Sequence, residues 1–547
     1  MPNPPTILIT GATDGIGLAL ARHYQAQGAQ LVLVGRRPLD NLESRLFTDD
    51  NYVQVDLAQP ACATIIAQWL QQHKRQKLDI LIQNAGLGYV GRLNEQSPAQ
   101  LRQLMAVNLA APIALTHALL PRVAAAQGKI AFISSVVSAL PGPHYAVYTA
   151  SKAGLDGFVR NLQVELRAQK SPVAALLIHP GATRTGMHAK SGATINSERF
   201  PSAESVAAAI ASALTSERRA TTIGLGNRLV QWAGRHLAGP LDWVMLRQAR
   251  ANTRARGVAD GSVETNDRIL PATPRAPTVM RDLEDKSQAR HCVITGAADG
   301  IGKALAHAFA QAGYAITGVD VDAARAAQTQ NELQAMGANV HFLMANLGQN
   351  EELERVVTAL SAGPVIDVLI HNAGINAVGP FATSDLAHQE TVLAVNLLAP
   401  LLLTRGLLAH SALRAGGSLV FVSSLSHFVS YPGAAVYAAS KDGVAAFARS
   451  LRVALAPNDI HVLTVYPGPT RTAHARRYSP DNRREHRRMP PEQLAQLVLA
   501  AVQRRQWTLI PGAGNHLFAG VGRLAPGLVE PVMRRLLFDP LVKSRRE

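Results

Sequence analysis

Two tyrosines of this 547-residue chain each stand four residues ahead of a lysine, as Tyr148-xxx-Lys152 and Tyr437-xxx-Lys441. On a helix that spacing places phenol and ammonium on one face, adjacent in space. A free tyrosine titrates near ~10, and a cation held beside it stabilises the phenolate, so each pair is a candidate proton exchanger. Upstream of each pair lies a glycine-rich segment, Thr10-Gly11-Ala12-Thr13-Asp14-Gly15-Ile16-Gly17 and Thr295-Gly296-Ala297-Ala298-Asp299-Gly300-Ile301-Gly302. Such glycines, following a strand and opening a helix, let the backbone turn tightly and approach a pyrophosphate, whose charge meets the helix N-terminus. A single glycine pattern is equally a strand–helix turn. Two copies in the same context favour the phosphate site.

The elements that must position these groups also come twice. Asn84-Ala85-Gly86 returns as Asn372-Ala373-Gly374, Val107-Asn108-Leu109 as Val395-Asn396-Leu397, and Ser135 as Ser424. Even the tails match, Gly226-Asn227 and Arg235 reappearing as Gly514-Asn515 and Arg523. The offset between copies stays within 285–289 residues, which marks a duplicated domain, since solenoid units are far shorter. Within each half, short apolar runs alternate with longer helical patterns, which predicts βαβ units and a parallel sheet. Strands are expected at 7–10, 30–34, 52–55, 80–83, 129–134, 173–179 and 222–224, and again at 292–295, 315–319, 340–344, 368–371, 418–423, 461–466 and 508–510. Asn108 and Asn396 fall inside helices, and Tyr148 and Tyr437 near helix starts. The expected domains are 1–255 and 290–547, joined by a proline-, glycine- and charge-rich linker over 256–289.

In order along each half, Thr-Gly-xxx-Gly-Ile-Gly, Asn-Ala-Gly, Ser with Tyr-xxx-Lys thirteen residues later, and Pro-Gly-xxx-Thr resemble the short-chain dehydrogenase/reductase family, twice and over nearly the whole chain. The resemblance implies an α/β protein of two tandem doubly wound parallel-sheet (Rossmann) domains, each with a nicotinamide cofactor at the carboxyl ends of its strands. It implies Tyr148 and Tyr437 as general acid/base, their pKa lowered by the lysine and the oxidised nicotinamide ring. Lys152 and Lys441 would also hold the nicotinamide ribose, Ser135 and Ser424 orient the substrate carbonyl, and Asn108 and Asn396 hold a water that relays protons. Implied cofactor contacts in the first half are Gly11, Thr13, Asp14, Gly15, Ile16, Gly17, Asp56, Asn84, Ala85, Gly86, Pro180 and Gly181, with Thr185 or instead Thr183. In the second half they are Gly296, Ala298, Asp299, Gly300, Ile301, Gly302, Asn346, Asn372, Ala373, Gly374, Pro467 and Gly468, with Thr472 or instead Thr470. The family's usual second asparagine is replaced by Gln83 and His371. His371 is read as a strand-end histidine, not a catalyst.

The halves differ where the second strand ends. The first reads Val34-Gly35-Arg36-Arg37 and the second Val319-Asp320-Val321-Asp322. Arginines attract a 2′-phosphate, whereas an acidic residue accepts hydrogen bonds from the adenine ribose and repels that phosphate. The first half is therefore expected to take NADP(H) through Arg36, with Arg37 as a second cation, and the second NAD(H) through Asp320. Two arginines in a solvated turn are the plainer alternative. Because cells commonly keep NAD oxidised and NADP reduced, opposite preferences suggest coupled use: the second half oxidising an alcohol, the first reducing a ketone. Two independent ketoreductases fused by duplication, or a nucleotide-sensing scaffold with little turnover, are the alternatives. Substrate identity, direction and oligomeric state are not specified by the sequence.

Composition bounds the partners. The net charge is +16, with residues 1–257 carrying +12 and residues 290–547 +6. The basic residues are scattered and not interleaved with aromatics, so a nucleic-acid groove is not expected. Cys62 and Cys292 have no metal or disulfide spacing, so no metal and a reducing, cytoplasmic setting are expected. A first strand close to Met1 leaves no room for a signal peptide, and no apolar run reaches spanning length. Six arginines within 476–488 are read either as a clamp for an anionic substrate handle or as a solvated basic loop. The apolar, basic tails 229–246 and 517–537, interrupted at Gly239-Pro240 and Ala525-Pro526-Gly527, either cap an apolar pocket, pack between domains or lie on a membrane surface. A fairly large apolar alcohol or ketone is the expected substrate. The two halves are expected to pair within the chain or to form a homo-oligomer.

Overall fold

The structure, a computed structural model, describes residues 4–192, 197–259, 289–479 and 481–544. It holds two seven-stranded parallel sheets of matching topology. The first runs β3-β2-β1-β4-β5-β6-β7, with β1 (Thr6–Thr10), β2 (Gln30–Gly35), β3 (Tyr52–Gln54), β4 (Ile80–Gln83), β5 (Lys129–Ile133), β6 (Ala174–His179) and β7 (Ala220–Thr222). The second runs β10-β9-β8-β11-β12-β13-β14, with β8 (His291–Thr295), β9 (Ala315–Asp320), β10 (Val340–Met344), β11 (Ile366–His371), β12 (Leu413–Val422), β13 (His461–Val465) and β14 (Thr508–Leu509). The central strands are near-continuous apolar runs because both sheet faces are covered: Ile7, Leu8 and Ile9 are all buried. The strand order reverses between β1 and β4, and again between β8 and β11, which opens a crevice at their carboxyl ends.

The last strand of the first half lies at Ala220–Thr222, earlier than expected, because Gly224 takes a φ of +91° and starts the next helix. Eight helices border the crevices or join the halves: α1 (Gly15–Ala26), α2 (Ala146–Ala168), α3 (Leu225–His236), α4 (Ala238–Ala259), α5 (Gly300–Gln311), α6 (Ala435–Ala454), α7 (Ala513–Leu524) and α8 (Pro526–Met533). Helix α4 continues into the segment expected as linker, whose residues 260–288 lie outside the described residues. The tails break at Leu237 and Ala525, so neither is one helix.

One expectation is corrected. The helical runs Pro98–Ala125 and Leu386–Ala409 are long and apolar enough to cross a membrane, yet 72% of the apolar 18-residue stretch in each lies buried in the fold. They are core helices, and Asn108 and Asn396 sit in a wide turn within them, Ala106–Ala110 and Ala394–Leu398, where i→i+5 hydrogen bonds replace the usual spacing.

The halves pack with α2 against α6. Gly154 of α2 faces the carbonyl of Ala439, and Gly443 of α6 faces that of Ala150, with room for little more than a hydrogen at either glycine. A contact and its counterpart both being present is the signature of a twofold relation. The duplicated halves therefore pair as two subunits of a dimer would, inside one chain. Asymmetric ties add to this. Glu165 accepts the backbone N–H groups of Phe381 and Gly433, each at 2.8 Å, and Arg160 meets Asp442 at 2.5 Å.

Candidate active sites

Each glycine-rich segment ends a strand and turns into a helix. Gly11 and Gly296 take φ of +67° and +66°, a left-handed turn that glycine accepts without strain. A Cβ on Gly17 would lie 2.1 Å from the Gly11 carbonyl, and one on Gly302 1.7 Å from that of Gly296, so these glycines let the helix pack against the turn. Asp14 and Asp299 cap α1 and α5, each accepting from the next N–H at 2.7 Å. Their charge is met by guanidinium groups from different places: Arg37 in the first half at 3.8 Å and Arg325 in the second at 3.1 Å. Lys190 also pairs with Asp14. These aspartates organise the loop, and an anion placed directly against them would be repelled.

Asn84 and Asn372 turn their amides back on the same loop. The Nδ2 of Asn84 donates to the Thr10 and Gly11 carbonyls, and that of Asn372 to Thr295 and Gly296. They staple the phosphate turn to the neighbouring strand, which leaves Ala85-Gly86 and Ala373-Gly374 at the crevice. Asp56 and Asn346 each close a turn by accepting the N–H two residues on, at 2.9 and 3.0 Å.

The two second-strand ends are built differently. Asp320 accepts from the N–H groups of Ala298, Val321 and Asp322 at 2.8–3.1 Å. A carboxylate offers about four lone-pair directions, so about one remains for a ribose hydroxyl. Its counterpart, Gly35, has no room for a side chain: a Cβ would lie 2.5 Å from the Thr13 methyl and 2.9 Å from the Tyr52 hydroxyl. Thr13 stands where the second half has Ala298. Arg37 donates to the Thr13 carbonyl at 3.3 Å, whereas Arg36 is exposed, with no such tie among the described residues.

The Tyr-Lys pairs meet their serines on the other wall. Tyr148 and Tyr437 lie near the starts of α2 and α6, each hydrogen-bonded with its serine, Ser135 or Ser424. Lys152 Nζ stands 5.9 Å from the Tyr148 ring centroid and Lys441 Nζ 5.7 Å from that of Tyr437. Each lysine donates to a strand carbonyl, Ile133 at 2.9 Å and Val422 at 3.0 Å. A Cβ on Gly86 would be 3.5 Å from both Asn108 Oδ1 and Lys152 Nζ, so the loop after β4, the asparagine and the lysine converge. At Gly374 the matching distances to Asn396 and Lys441 are 3.3 Å.

Two expectations change here. Burial raises both phenols above the ordinary tyrosine value, opposed only by the serine hydrogen bond. Burial also pulls both lysines down to about 8, so the lysine alone does not lower the phenol. The asparagine side chains are already spent. Asn108 bonds the N–H and C=O of Leu87 and the Ser151 hydroxyl, and Asn396 bonds Ile375 and Ser440 alike. A relay water there is left the second lone pair of Oδ1 or the backbone.

The two threonines of each Pro-Gly segment lie in different surroundings. Thr183 and Thr470 are buried and bond back to the carbonyls of Gly181 and Gly468 at 3.1 Å. Thr185 and Thr472 lie over the glycine loop, 3.0 and 3.3 Å from a Cβ built on Gly15 and Gly300; Thr472 is also buried, and its hydroxyl accepts the Ala475 N–H at 3.1 Å. The Pro180-Gly181 and Pro467-Gly468 turns are buttressed by tail residues Asn227 and Asn515, which is why the tails repeat. In the second half these residues line one cleft of about 2100 Å³, with Asn396, Ala298 and Gly302 behind its wall. In the first half, Lys190 of the segment after Gly186 pairs with Asp14 of the glycine loop, and a separate pocket of about 350 Å³ lies on the outer side of α1, between Leu18, Arg22, Arg184 and Glu204.

With that geometry in place, comparison with known proteins decides the family. The short chain dehydrogenase family model matches residues 5–196 and again 290–483. The chain belongs to the short-chain dehydrogenase family. It is 33% identical over 198 residues to dehydrogenase/reductase SDR family member 4 of Homo sapiens, covering 35% of this chain and 70% of that one. Against dehydrogenase/reductase SDR family member 7B of Mus musculus it is 34% identical over 192 residues, covering 33% of this chain and 58% of that one. Among solved structures it is similar to a short-chain dehydrogenase from Sphingobium yanoikuyae in complex with NADPH, with 28% identity, 43% of this chain and 92% of that chain covered, and a TM-score of 0.37. This short-chain dehydrogenase is an NAD(P)-dependent oxidoreductase.

Several site residues were not visible in the sequence. Asp156, one turn beyond Lys152, is buried and bonds Ser134, Ser138 and His179 at 2.5–2.9 Å, with Arg235 at 3.7 Å. Burial pushes its carboxyl up, but His179, Arg235 and Ser134 overcome that and hold it at about 2. The second half replaces this network with an apolar cluster of Ala445, Tyr466, Phe428 and Val529, over which Arg523 stacks. His371 bonds Thr404, stacks on Phe421 and is held at about 3 by burial, so it is a neutral strut. Of the basic segment, Arg476, Arg483 and Arg488 are tied to Glu485, Asp481 and Asn482, and all six arginines except Arg476 line the cleft, Arg484 and Arg487 among them.

Proposed function

We propose that the chain is a two-centre oxidoreductase acting on a secondary alcohol and its ketone, with NADP(H) used by the first half and NAD(H) by the second. The observation that carries this is the assembly of serine, tyrosine, lysine and asparagine beside a phosphate-binding turn, in both crevices. A bound nicotinamide dinucleotide supplies the hydride-transferring carbon. In this reading Tyr148 and Tyr437 exchange a proton with the substrate oxygen, and Ser135 and Ser424 orient that oxygen by a hydrogen bond. Lys152 and Lys441 hold the ribose and, below about pH 8, present a cation behind the phenol. Asn108 and Asn396 anchor the loop that brings Gly86 and Gly374 next to those lysines.

The division of cofactors is supported by the second-strand ends. Thr13 and Tyr52 exclude a carboxylate from position 35 and leave the cationic Arg36 at the edge. Asp320 stands ready for a ribose hydroxyl and repels a 2′-phosphate. Combining Thr13→Ala, Gly35→Asp and Arg36→Val should turn the first half toward NAD by at least about tenfold, measured by dinucleotide titration. An unchanged preference would sink the split. Asp56 and Asn346 fit the adenine edge, and Thr185 and Thr472 the carboxamide end.

Coupling follows as the stronger form of this reading: oxidation in the second half, reduction in the first, on an apolar or acyl-type substrate reached past the tail helices. Its setting is cytoplasmic, supported by two free, buried thiols. The domains are taken as 1–255 and 290–547. A screen of secondary alcohols and ketones with each dinucleotide, run on the intact chain and on Tyr148→Phe and Tyr437→Phe, tests all of this. Each substitution should abolish turnover with one dinucleotide only; a nucleotide-sensing scaffold would lose nothing. Replacing Arg484 and Arg487 with Ala should raise KM for anionic substrates if the basic segment clamps them.

A further inference from the structure

The tail helices of both halves are built inside out. Each docks by a thin strip of small or isolated residues: Gly234 against the Ala139 carbonyl, Gly522 against that of Phe428, Leu246 against Val453 and Ala456, and Val529 beside Tyr466. Their outer sides are apolar. Leu225, Leu517, Leu524 and Leu528 are 71–80% exposed, and Trp232 and Trp243 about half exposed. An exposed apolar surface this concentrated marks an interaction site. Helix α3 touches α7, so the strips from the two halves adjoin.

The charges on these helices have one sign outward. Arg228, Arg247, Arg523 and Arg535 are exposed, and Arg247 lies over the Trp243 ring. The acidic residues of α3, α4, α7 and α8 are Asp242 and Glu530, and Asp539, in the turn that follows Arg535, faces Arg534 at 3.7 Å. Asp242 is buried against Arg449 and Arg452, and Glu530 is paired with Arg167 and Arg219. A second copy of the chain seated here through a twofold contact would set arginine against arginine, the nearby acids Asp242, Glu530 and Asp539 each already facing an arginine of their own chain. Leucine and tryptophan flanked by arginine instead match the boundary of an anionic bilayer.

We infer that the tail helices of both halves together form a docking face for an anionic lipid bilayer. The face is continuous with the second cleft, because Phe518, Met533, Leu536 and Leu537 line that cleft and Leu536 is also exposed. An apolar substrate dissolved in lipid would thereby reach Tyr437 without crossing water. This route rests on the proposed function; docking itself does not.

Flotation of the full chain with vesicles of phosphatidylcholine alone, or mixed with phosphatidylserine, tests the inference without substrate or cofactor, so it fails independently of the proposed reaction. The protein should float with the anionic vesicles and be released by salt. Replacing Leu517, Leu524 and Leu528 with Ser should lower binding at least about tenfold, as should the pair Arg247→Glu and Arg535→Glu. Retained dinucleotide binding shows that the variants are folded. No flotation with either vesicle would overturn the inference. So would a stable dimer of the chain that the same substitutions dissociate, with lipid binding unaffected.

Discussion

Tyr148 and Tyr437 are phenols whose burial opposes the ionisation their proposed role requires. Serine hydrogen bonds recover part of that cost, and the lysines contribute only while charged. Because burial holds Lys152 and Lys441 at about 8, the cation is present below that pH and lost as pH rises through it. Dinucleotide affinity should therefore weaken above about pH 8, measured by titration of the intact chain across pH 6.5–9.5, values on the order of the lysine midpoint. Tyr148→Phe and Tyr437→Phe should each cost about 10²–10⁴ in the rate of one half. The identity of these residues was legible because phenol, amine, serine and asparagine recur in fixed order. Their energetics were not, since burial comes from strands and loops far away in sequence. The same applies at Gly35. Its arginine neighbours could be read directly, but the exclusion of a carboxylate by Thr13 and Tyr52 required β1, β2 and β3 to be side by side.

At the scale of elements, the wide helical turns at Asn108 and Asn396 and the glycine-dependent packing of α1 and α5 hold the crevices open at the switch points. The strand pattern carried most of this, since buried parallel strands read as apolar runs. It misplaced β7, where Gly224 ends the strand early, and gave no sign of the Asp156 network. That network joins one helix, one strand end and one tail through residues each ordinary alone. Its folded carboxyl lies below the free value of 3.8, so its stabilisation is present above that pH and is lost as pH falls through about 2. Asp156→Asn should lower first-half stability at neutral pH by about 1–3 kcal/mol, read from urea unfolding. Gly154→Leu, at the crossing of α2 and α6 where even a Cβ lies 3.0 Å from Leu109, should cost about 1–3 kcal/mol by overpacking.

Across the whole molecule, duplication has left two similar frames with different edges. One ends in Gly35-Arg36 and has Asp156 and His179 paired behind its lysine; the other ends in Asp320 and has Ala445 and Tyr466 at those positions, with a separate His427–Asp442 pair beside them. Internal pairing through α2 and α6 consumes the surface that separate subunits would share, and Glu165 ties the halves by accepting two N–H groups from the partner half. Glu165→Ala should strand both donors and lower the unfolding midpoint, at a cost of about 2–4 kcal/mol. The sequence showed the repeat but not this reciprocity, because the contacts join residues more than two hundred positions apart. The most direct measurement is calorimetric titration of the intact chain with NADPH and NADH, alone and in succession. One site is expected for each, filled without competition, with Arg36→Ala weakening only NADPH and Asp320→Ala only NADH. Competition of the two dinucleotides for the same sites, or either one filling both sites equally, would contradict the division of cofactors between the halves.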